Sequence, residues 1–337
     1  MLLPCFSTCQ HIGDTVQSVL HFSRSFRIFC WCIYSWWCIY SESQQRVKIA
    51  DILPEWISPR GGMPQGSWLG PLIFIVLIDD LRLTTLAHTF LDDTTMSEII
   101  AKDTVSEMQR TVDALVEWSE VNHMNVNSKK TKEMVLGPLS KESTTPLLMT
   151  GNLVQQLTQY KLLGVTINAA LKWDDHVDVI TSKAAKRLWF LKKLKRTGVA
   201  KEDLAYFFQA VIRPILEYVC LAWHTSLTQE QSKSLENVQR RALQIIVGNI
   251  PYEEACLLFD LPTLAERRYS LCCSTLSKQI TSESHVLHYL LPAKRDAQLA
   301  SRLWSTMKYP TVRTRTNRFK NSFIPYALSN FQRHLQS

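Results

Sequence analysis

Apolar residues recur every three or four positions through most of the second half of the sequence. This spacing predicts three long helices, over Asp174–Arg196, Lys201–Trp223 and Thr228–Val247, and a fourth that begins at Pro262 and ends near Ile280. We therefore expect the second half to be a bundle of helices that pack through their apolar faces.

The first of these helices separates apolar from basic residues. Leu188, Leu191 and Leu194 fall on the face that should enter the bundle. Lys186, Lys193 and Arg196 should face outward, and the stretch from Lys183 to Arg196 holds seven Lys or Arg in fourteen residues. Such a face either lies along a polyanion or is an ordinary solvated surface, and the sequence leaves both interpretations open.

The first half has shorter apolar runs. Thr85–Phe90 and Thr94–Ile99 are β-type runs on either side of Asp92 and Asp93, so we expect a hairpin whose turn carries the two aspartates. Leu69–Leu83 is long and apolar enough for a buried helix.

Three further elements follow the hairpin. Thr104 and Glu107 have the spacing of a capping box, which predicts a helix that ends near Val121. The runs Lys132–Leu136 and Lys161–Ile167 predict strands. A small antiparallel sheet with helices, followed by an all-α region, places the chain in the α+β class.

Composition and charge limit the classes of protein to which the chain can belong. With 46% hydrophobic and 20% charged residues, the 337-residue chain can build sizeable cores and is not disordered throughout. Its formal net charge of +8 is uneven, because residues 1–150 hold 12 basic and 16 acidic residues, whereas residues 151–337 hold 26 and 14. The basic second half favours a polyanion such as nucleic acid as partner.

Cysteine usage and hydropathy bear on the compartment. Nine cysteines, an odd number without a CxxC pair, do not form a recognisable disulfide framework. We therefore expect an intracellular protein, nuclear or cytoplasmic, that is not secreted. No apolar run reaches the roughly 18 residues of a membrane span, so no membrane partner is expected.

The amino-terminal segment has an unusual composition. Ile28–Tyr40 holds six aromatic residues and three cysteines in thirteen positions. It is compatible with an interfacial anchor, with a buried helix or strand, or with sequence that has drifted under little selection. The sequence leaves these three interpretations open.

Two motifs carry the candidate chemistry. Gly62-Met-Pro-Gln-Gly66 is a loop that leads into an apolar helix, and the Asp92–Asp93 pair follows about 26 residues later. Paired carboxylates repel each other unless a cation lies between them, and oxygen-rich clusters bind Mg²⁺. An acidic pair alone is usually only a surface turn, but its combination with the glycine loop favours a metal site.

The order of these motifs resembles the palm of reverse transcriptases from non-LTR retrotransposons. The matching string runs from Gly62 through Gly-Pro-Leu-x-Phe to Phe90-Leu-Asp-Asp-Thr, with Asn125–Met134 similar to the lysine-bearing motif that follows. Tyr160–Val165 resembles the primer-grip hairpin, and Arg213–Tyr218 resembles the helical thumb region of jockey-like elements. The resemblance implies RNA-templated DNA synthesis from dNTPs with Mg²⁺ as cofactor.

The resemblance implies a role for each matching residue. Asp92 and Asp93 would bind the catalytic metal. Pro64, Gln65, Gly66 and Lys130 would contact the template or the incoming nucleotide. Leu162, Leu163 and Gly164 would hold the primer end. Lys183, Lys186, Lys192, Lys193, Lys195 and Arg196 would lie along the phosphates of an RNA–DNA hybrid.

The sequence also departs from the family pattern. Leu91 stands where the family has a small alanine, and we expect the fingers region of the family to be missing. Gly13–Val16 resembles the end of the first catalytic motif, and counting back places Thr8 where the family has a metal-binding aspartate. A threonine hydroxyl brings no charge to a dication site.

These observations predict a truncated reverse transcriptase that has lost catalysis and at most binds nucleic acid. The predicted domains are a degenerate segment over 1–39, the palm over 40–168, a helical thumb over 169–290 and a basic tail over 291–337, which we expect to be loose from Tyr309 onward. An active RNA-templated polymerase and a retroelement relic without a stable fold are the alternatives. The RNA template and the RNA–DNA hybrid are the expected partners, with dNTPs if the chain is active.

Overall fold

The computed structural model describes residues 55–56, 74–76, 78–83, 85–90, 93–101, 104–122, 124–141, 144–295 and 309–331. They divide into two compact units. The first comprises the described part of residues 1–128 together with Leu147–Asn152, and the second comprises Lys129–Pro146 and the described residues from Leu153 onward. The mixture of helices and short strands confirms the α+β class. The predicted domain boundaries stay a prediction.

The first unit contains the expected hairpin. Strand β1 (Leu86–Phe90) pairs antiparallel with β2 (Asp93–Ser97), and Phe90 lies opposite Asp93. Asp93 is therefore the first residue of the second strand, and residues 91 and 92, which join the strands, lie outside the described residues. The predicted helix Leu69–Leu83 also lies largely outside them, although residues 74–76 are helical.

Helix α1 (Met108–Val121) ends where the sequence predicted, but its capping box does not form. The helix has no side-chain cap, and the Thr104 hydroxyl donates to the Ala101 carbonyl instead, at 2.8 Å. The carboxylate of Glu98 accepts hydrogen bonds from the Ser106 hydroxyl (2.7 Å) and the Glu107 backbone N–H (2.8 Å). The Glu98 carboxylate, which comes from the preceding segment, thus binds a backbone donor at the N-terminus of α1.

The strand β4 (Leu148–Met149) completes the described part of the first unit and packs against α1. The Gln109 side-chain amide donates to the Leu148 carbonyl and accepts from its N–H, both at 2.8 Å. Val112, Leu115 and Met149 are buried. The Gln109 side chain therefore binds both backbone groups of Leu148 on β4, whose partner strand is β5 (Asn152–Leu153).

Short strands open the second unit. They are β3 (Lys132–Glu133), β6 (Gln155–Gln156), β7 (Gln159–Leu162) and β8 (Val165–Asn168). The boundary between the units falls within β5 (Asn152–Leu153), because Asn152 belongs to the first unit and Leu153 to the second. Among the described residues the strands form separate two-stranded pairs, of which β1–β2 and β7–β8 are antiparallel and β3–β6 is parallel, so the single antiparallel sheet stays a prediction.

Two strand predictions need correction. The predicted strand Lys132–Leu136 reduces to the two residues of β3. The predicted strand Lys161–Ile167 is the hairpin β7–β8, because the chain reverses at Leu163 and Gly164. Apolar residues on both sides of this turn gave the pattern of one continuous strand.

Most helices of the second unit lie close to the ranges that the spacing of apolar residues predicts. Helix α2 spans Asp174–Arg196 as predicted. The second predicted helix is interrupted: α3 (Lys201–Phe207) continues as a π-helical turn, Phe208–Ile212, before α4 (Arg213–Glu217) and α5 (Cys220–Trp223). Pro214 has no N–H for the helical ladder, and Val219 adopts a left-handed conformation (φ 48°) that ends it.

The remaining helices follow α5. They are α6 (Gln229–Val247), α7 (Tyr252–Leu258), α8 (Leu264–Thr275), α9 (Asn317–Lys320) and α10 (Phe323–Asn330). Short 3₁₀ turns lie at Gly137–Lys141, His224–Ser226 and His288–Leu290, and a π-helical turn, Leu276–Ile280, extends α8. The sequence did not predict α7.

The core of the second unit lies between these helices. Leu188 and Leu191 are buried and Leu194 is partly buried, as predicted, and α2 packs against α6. A second cluster forms where Ala327 and Phe331 pack against Cys272, Leu276 and Ile280. The expectation of a loose tail from Tyr309 was therefore wrong for residues 317–331, because α10 has an apolar face that the short helix buries.

The helices of the described part of the chain do not include a single one that is long and apolar enough to cross a membrane. Lys201–Glu217 and Cys220–Ser226 reach that length and hydropathy only as a pair, with a bend of 43° between them.

A buried cation lies beside α5. Arg268 is fully buried, its Nε donates to Nδ1 of His224 at 3.4 Å, and its guanidinium lies 5.7 Å from the centre of the Trp223 ring. Burial, with the positive charge of Arg268 next, lowers the pKa of His224 to about 4. His224 is therefore neutral in the folded protein, as an acceptor for Arg268 must be.

Acid should destabilise the second unit through His224. Its folded pKa lies below the unfolded value near 6.5, so this contribution is complete above pH ~6.5 and is lost as the pH falls toward 4. We expect acidification from pH 7.5 to pH 5 to cost about 1–2 kcal/mol at this site. Urea denaturation at several pH values measures it.

The control for that experiment is His224→Gln, which keeps a hydrogen-bond acceptor and does not titrate. Its stability should fall less between pH 7.5 and pH 5 than that of the unmodified chain. Parallel pH curves for the two proteins would contradict the assignment.

Candidate nucleic-acid interface and catalytic motif

Of the acidic pair Asp92 and Asp93, only Asp93 is among the residues that the structure describes. Asp93 is exposed at the start of β2, opposite Phe90, and it belongs to the first unit. Asp92 and the loop residues Pro64, Gln65 and Gly66 lie outside the described residues. The catalytic and template roles implied for these residues therefore stay predictions.

The described residues do not by themselves fit the implied Mg²⁺ site. Within them, no group of three or more His, Cys, Asp and Glu side chains comes together. Asp93 supplies one carboxylate, whereas a pair of Mg²⁺ ions requires several oxygen ligands. We derive no metal-dependent step from this geometry.

Lys130 belongs to the second unit, in a turn just before β3. Its side chain is exposed. The neighbouring Lys132 ammonium donates to the Lys129 carbonyl at 2.9 Å and to the Gln155 side chain at 2.8 Å, which ties the turn to β6. The nucleotide-binding role implied for Lys130 stays a prediction.

The hairpin predicted to hold the primer has a tight two-residue turn. Leu162 ends β7, and Leu163 and Gly164 both have positive φ, 45° and 90°. This sign at both positions is typical of type I′ turns, whose twist matches that of the flanking strands. The Leu163 side chain is 45% exposed at the tip, so the hairpin presents an apolar residue outward.

The break between α4 and α5 packs directly against this turn. The Tyr218 hydroxyl donates to the Leu163 carbonyl at 2.9 Å. A Cβ at residue 164 would lie 2.9 Å from Cε1 of Tyr218, so only glycine allows the ring to approach this closely. Trp223 donates from its indole Nε1 to the Tyr218 carbonyl at 3.0 Å and so binds a carbonyl exposed by the break.

An ion network lies just before the same break. Arg213 and Arg267 both approach Oε1 of Glu217, at 3.6 and 3.4 Å. Burial lowers the pKa of Arg213, and the Glu217 carboxylate opposes that shift. The part of the sequence that resembles the family thumb is therefore held by charge pairs as well as by apolar packing.

The outer side of α2 is a basic surface. Val177, Ile180, Ala184, Leu188 and Leu191 form its buried stripe. The six basic residues implied for nucleic-acid contact, Lys183, Lys186, Lys192, Lys193, Lys195 and Arg196, are all exposed. We call these six residues the α2 basic face. The last fourteen residues of the helix contain no acidic residue, so their charge is not compensated along the helix.

Two members of the α2 basic face also make contacts within the protein. Lys195 donates to the Ile245 carbonyl near the end of α6, at 2.6 Å. The Lys193 ammonium lies 5.3 Å from the centre of the Trp189 ring. Lys195 therefore has a structural role beside its charge.

The sequence interpretation missed two aromatic residues on this surface. Trp189 and Phe190 are 56% and 54% exposed and pack edge to face, with ring centres 5.0 Å apart. Their signal was present in the sequence, because Trp189 lies three residues after Lys186 and four before Lys193, on the basic side of the helix.

Comparison with known proteins agrees with the motifs. Residues 18–167 match the family described as reverse transcriptase (RNA-dependent DNA polymerase). The chain is 27% identical over 257 residues to the probable RNA-directed DNA polymerase from transposon BS of Drosophila melanogaster, which covers 70% of this chain and 28% of the relative.

Two further relatives come from the same organism. The probable RNA-directed DNA polymerase from transposon X-element is 25% identical, covering 72% of this chain and 26% of the relative. The RNA-directed DNA polymerase from mobile element jockey is 26% identical, covering 56% and 22%. The chain thus spans about a quarter of the length of these relatives. No solved structure gives a significant match.

Residues 18–167, which include the hairpin that begins its second strand at Asp93, are therefore similar to a reverse transcriptase domain. The relatives place this domain with those of non-LTR retrotransposons. Reverse transcriptases in general use divalent metal ions, an RNA template and dNTPs. The family match begins after Thr8 and the Gly13–Val16 string, so the assignment of Thr8 stays a prediction.

Proposed function

We propose that this chain binds an RNA–DNA hybrid through the α2 basic face and does not catalyse DNA synthesis. In this proposal residues 40–168 correspond to a polymerase palm and residues 169–290 to a helical thumb. The hybrid phosphates are the binding partner of the thumb, and Leu162, Leu163 and Gly164 contact the primer end.

The observation that carries the proposal is the two-sided character of α2. One side is fixed in the core by five buried apolar residues, so the opposite side has a defined orientation. That opposite side presents exposed ammonium and guanidinium groups over more than three helical turns, without an acidic residue among the last fourteen positions. Neutralisation of backbone phosphates by such groups releases counterions and drives binding without sequence preference.

The proposed loss of catalysis rests on the first motif. Phosphoryl transfer by two metal ions requires a carboxylate that bridges both ions. Counting back from Gly13–Val16 puts Thr8 at the position of the aspartate that supplies this group in the family, which would leave Asp92 and Asp93 to hold the cations. Two dications bound close together would be undercompensated, so the second should bind weakly.

An active polymerase is the second candidate. It is favoured by the family match, which covers the Gly62–Gly66 loop and the hairpin together. It requires the bridging carboxylate to come from a residue other than Thr8.

Primer extension on an RNA template, with Mg²⁺ or Mn²⁺ and all four dNTPs, separates the two candidates. We expect the unmodified chain to give no more product than Asp92→Ala. We expect Thr8→Asp to stay near that background, because the parts of a polymerase site act together. A gel-shift assay on the same preparation shows that the protein is competent to bind the hybrid.

Template-dependent synthesis by the unmodified chain above the Asp92→Ala background would overturn the proposed inactivity. It would also overturn the alignment at Thr8. The binding half of the proposal is tested separately by salt dependence.

A further inference from the structure

Trp189 and Phe190 expose large apolar side chains on the outer side of α2. The apolar residues that pack into the core lie on the other side of this helix. More than half of each side chain is exposed, while Leu188 and Leu191, their immediate neighbours in sequence, are in the core. Exposed aromatic pairs are costly to leave in water and mark contact sites when their surroundings fit a partner. The surroundings therefore decide what the pair binds.

The surroundings of the pair are cationic. Lys186, Trp189, Lys193 and Arg196 follow one another at spacings of three and four residues, so they form a single row along the outer side of α2. Lys183 and Arg187 occupy the corresponding positions two turns and one turn before Phe190. A partner of negative charge with flat, apolar groups matches this row, and nucleic acid with unpaired bases has both properties.

The rings are also held in place before any partner arrives. Phe190 meets Trp189 at an interplanar angle of 86°, and Lys193 lies over the Trp189 ring. These contacts restrict the rotamers of the tryptophan, which lowers the entropy lost on binding. Base–aromatic stacking does not depend on base identity, because every base has a π-face.

We infer that Trp189 and Phe190 stack on unpaired nucleobases of a single-stranded nucleic acid whose phosphates are bound by Lys186, Lys193 and Arg196. The inference rests on the proposed function, because the single-stranded nucleic acid that binds the aromatic pair would be a continuation of the hybrid bound by the same helix. It adds a contact to bases, which phosphate binding by the α2 basic face does not require.

The test uses two single-stranded probes of equal charge. One is a thymidine 12-mer, and the other is a 12-mer of abasic sites with the same phosphates and no bases. Trp189→Ala should weaken binding of the thymidine 12-mer by about five- to hundredfold. It should change binding of the abasic 12-mer and of a blunt RNA–DNA hybrid by less than about twofold.

Two further variants serve as controls. Tyr206→Ala removes an aromatic residue that is 72% exposed but lies on α3 near Glu202 and Asp203, so it should leave both affinities unchanged. Trp189→Phe keeps a ring and should recover part of the lost affinity. Circular dichroism melting verifies that each variant is folded, which is expected because the replaced side chains are mostly exposed.

Equal losses on the thymidine and abasic probes would overturn the stacking assignment, and so would an unchanged affinity for the thymidine 12-mer. A dimer that Trp189→Ala dissociates, seen by sedimentation, would also overturn it in favour of contact between copies. Failure of the proposed function looks different, because the unmodified chain would then not bind the hybrid in a salt-dependent way.

Discussion

Replacing Lys186, Lys192, Lys193 and Arg196 together by glutamine should reduce hybrid binding at 0.1 M salt by at least about tenfold. Each lost phosphate contact lowers the slope of log affinity against log salt by roughly 0.7–0.9, so four lost contacts should flatten it by about 3. Lys195 is left in place because its ammonium binds the Ile245 carbonyl. Fluorescence anisotropy of a labelled hybrid from 50 to 300 mM KCl measures the slope.

The matched control removes the same charge from other exposed positions of the second unit. Lys172, Lys201, Lys233 and Lys278 are exposed and lie outside α2. Their simultaneous replacement by glutamine should change the slope by less than about 1. Equal flattening by the two quadruple variants would show that binding depends on net charge rather than on the α2 basic face.

Gly164→Ala should destabilise the second unit by roughly 2–3 kcal/mol. The backbone at this position is left-handed (φ 90°), which costs an L-residue of order 1–3 kcal/mol, and the new methyl would lie 2.9 Å from the Tyr218 ring. The ring cannot move away without losing its hydrogen bond to Leu163. Urea denaturation gives the free energy of unfolding.

Gly198→Ala separates the two causes. Gly198 also has positive φ (84°), but no atom lies within 4 Å of an added Cβ. The loss of stability in Gly198→Ala should therefore come from backbone strain alone. The difference between the variants measures the contact with Tyr218, and a double-mutant cycle with Tyr218→Ala should recover it. If Gly164→Ala costs no more than Gly198→Ala, the turn does not depend on this packing.

The bundle was the most predictable part of the fold. Helix α2 spans its predicted range because 23 residues of regular periodicity and a buried stripe agree with each other. Helix α6 follows the same rule and is fixed at its start by a capping box between Thr228 and Gln231. The predicted helix Lys201–Trp223 failed locally, because apolar spacing does not register the missing N–H of Pro214 or the left-handed Val219.

The strands and the end of the chain were predicted less well. The β7–β8 turn depends on positive φ at Leu163, a residue type that carries no turn signal. Phe331, the residue after α10, is buried in a cluster with Cys272, and a local sequence pattern does not reveal such a long-range partner. Tyr218 was noticed only as part of a resemblance, whereas its contact with the hairpin depends on a fold in which residues 55 positions apart meet.

The sequence likewise predicted some features of the candidate site and missed others. Motif order predicted a reverse transcriptase domain, and the family match confirms that assignment. The exposure of Lys186, Lys193 and Arg196 follows from helical periodicity, whereas Lys195 lies seven residues after the buried Leu188 and is exposed near the end of the helix. Trp189 and Phe190 were not singled out, because an apolar pair in an amphipathic helix is more often core than surface.

The most direct test of the central claim is the affinity of the unmodified chain for an RNA–DNA hybrid, measured by anisotropy from 50 to 300 mM KCl. The account predicts salt-dependent binding with a log–log slope between roughly −3 and −6, since several exposed cations of one helix contact phosphates. An affinity that does not change with salt, or the absence of binding at 50 mM KCl by a folded protein, would contradict it.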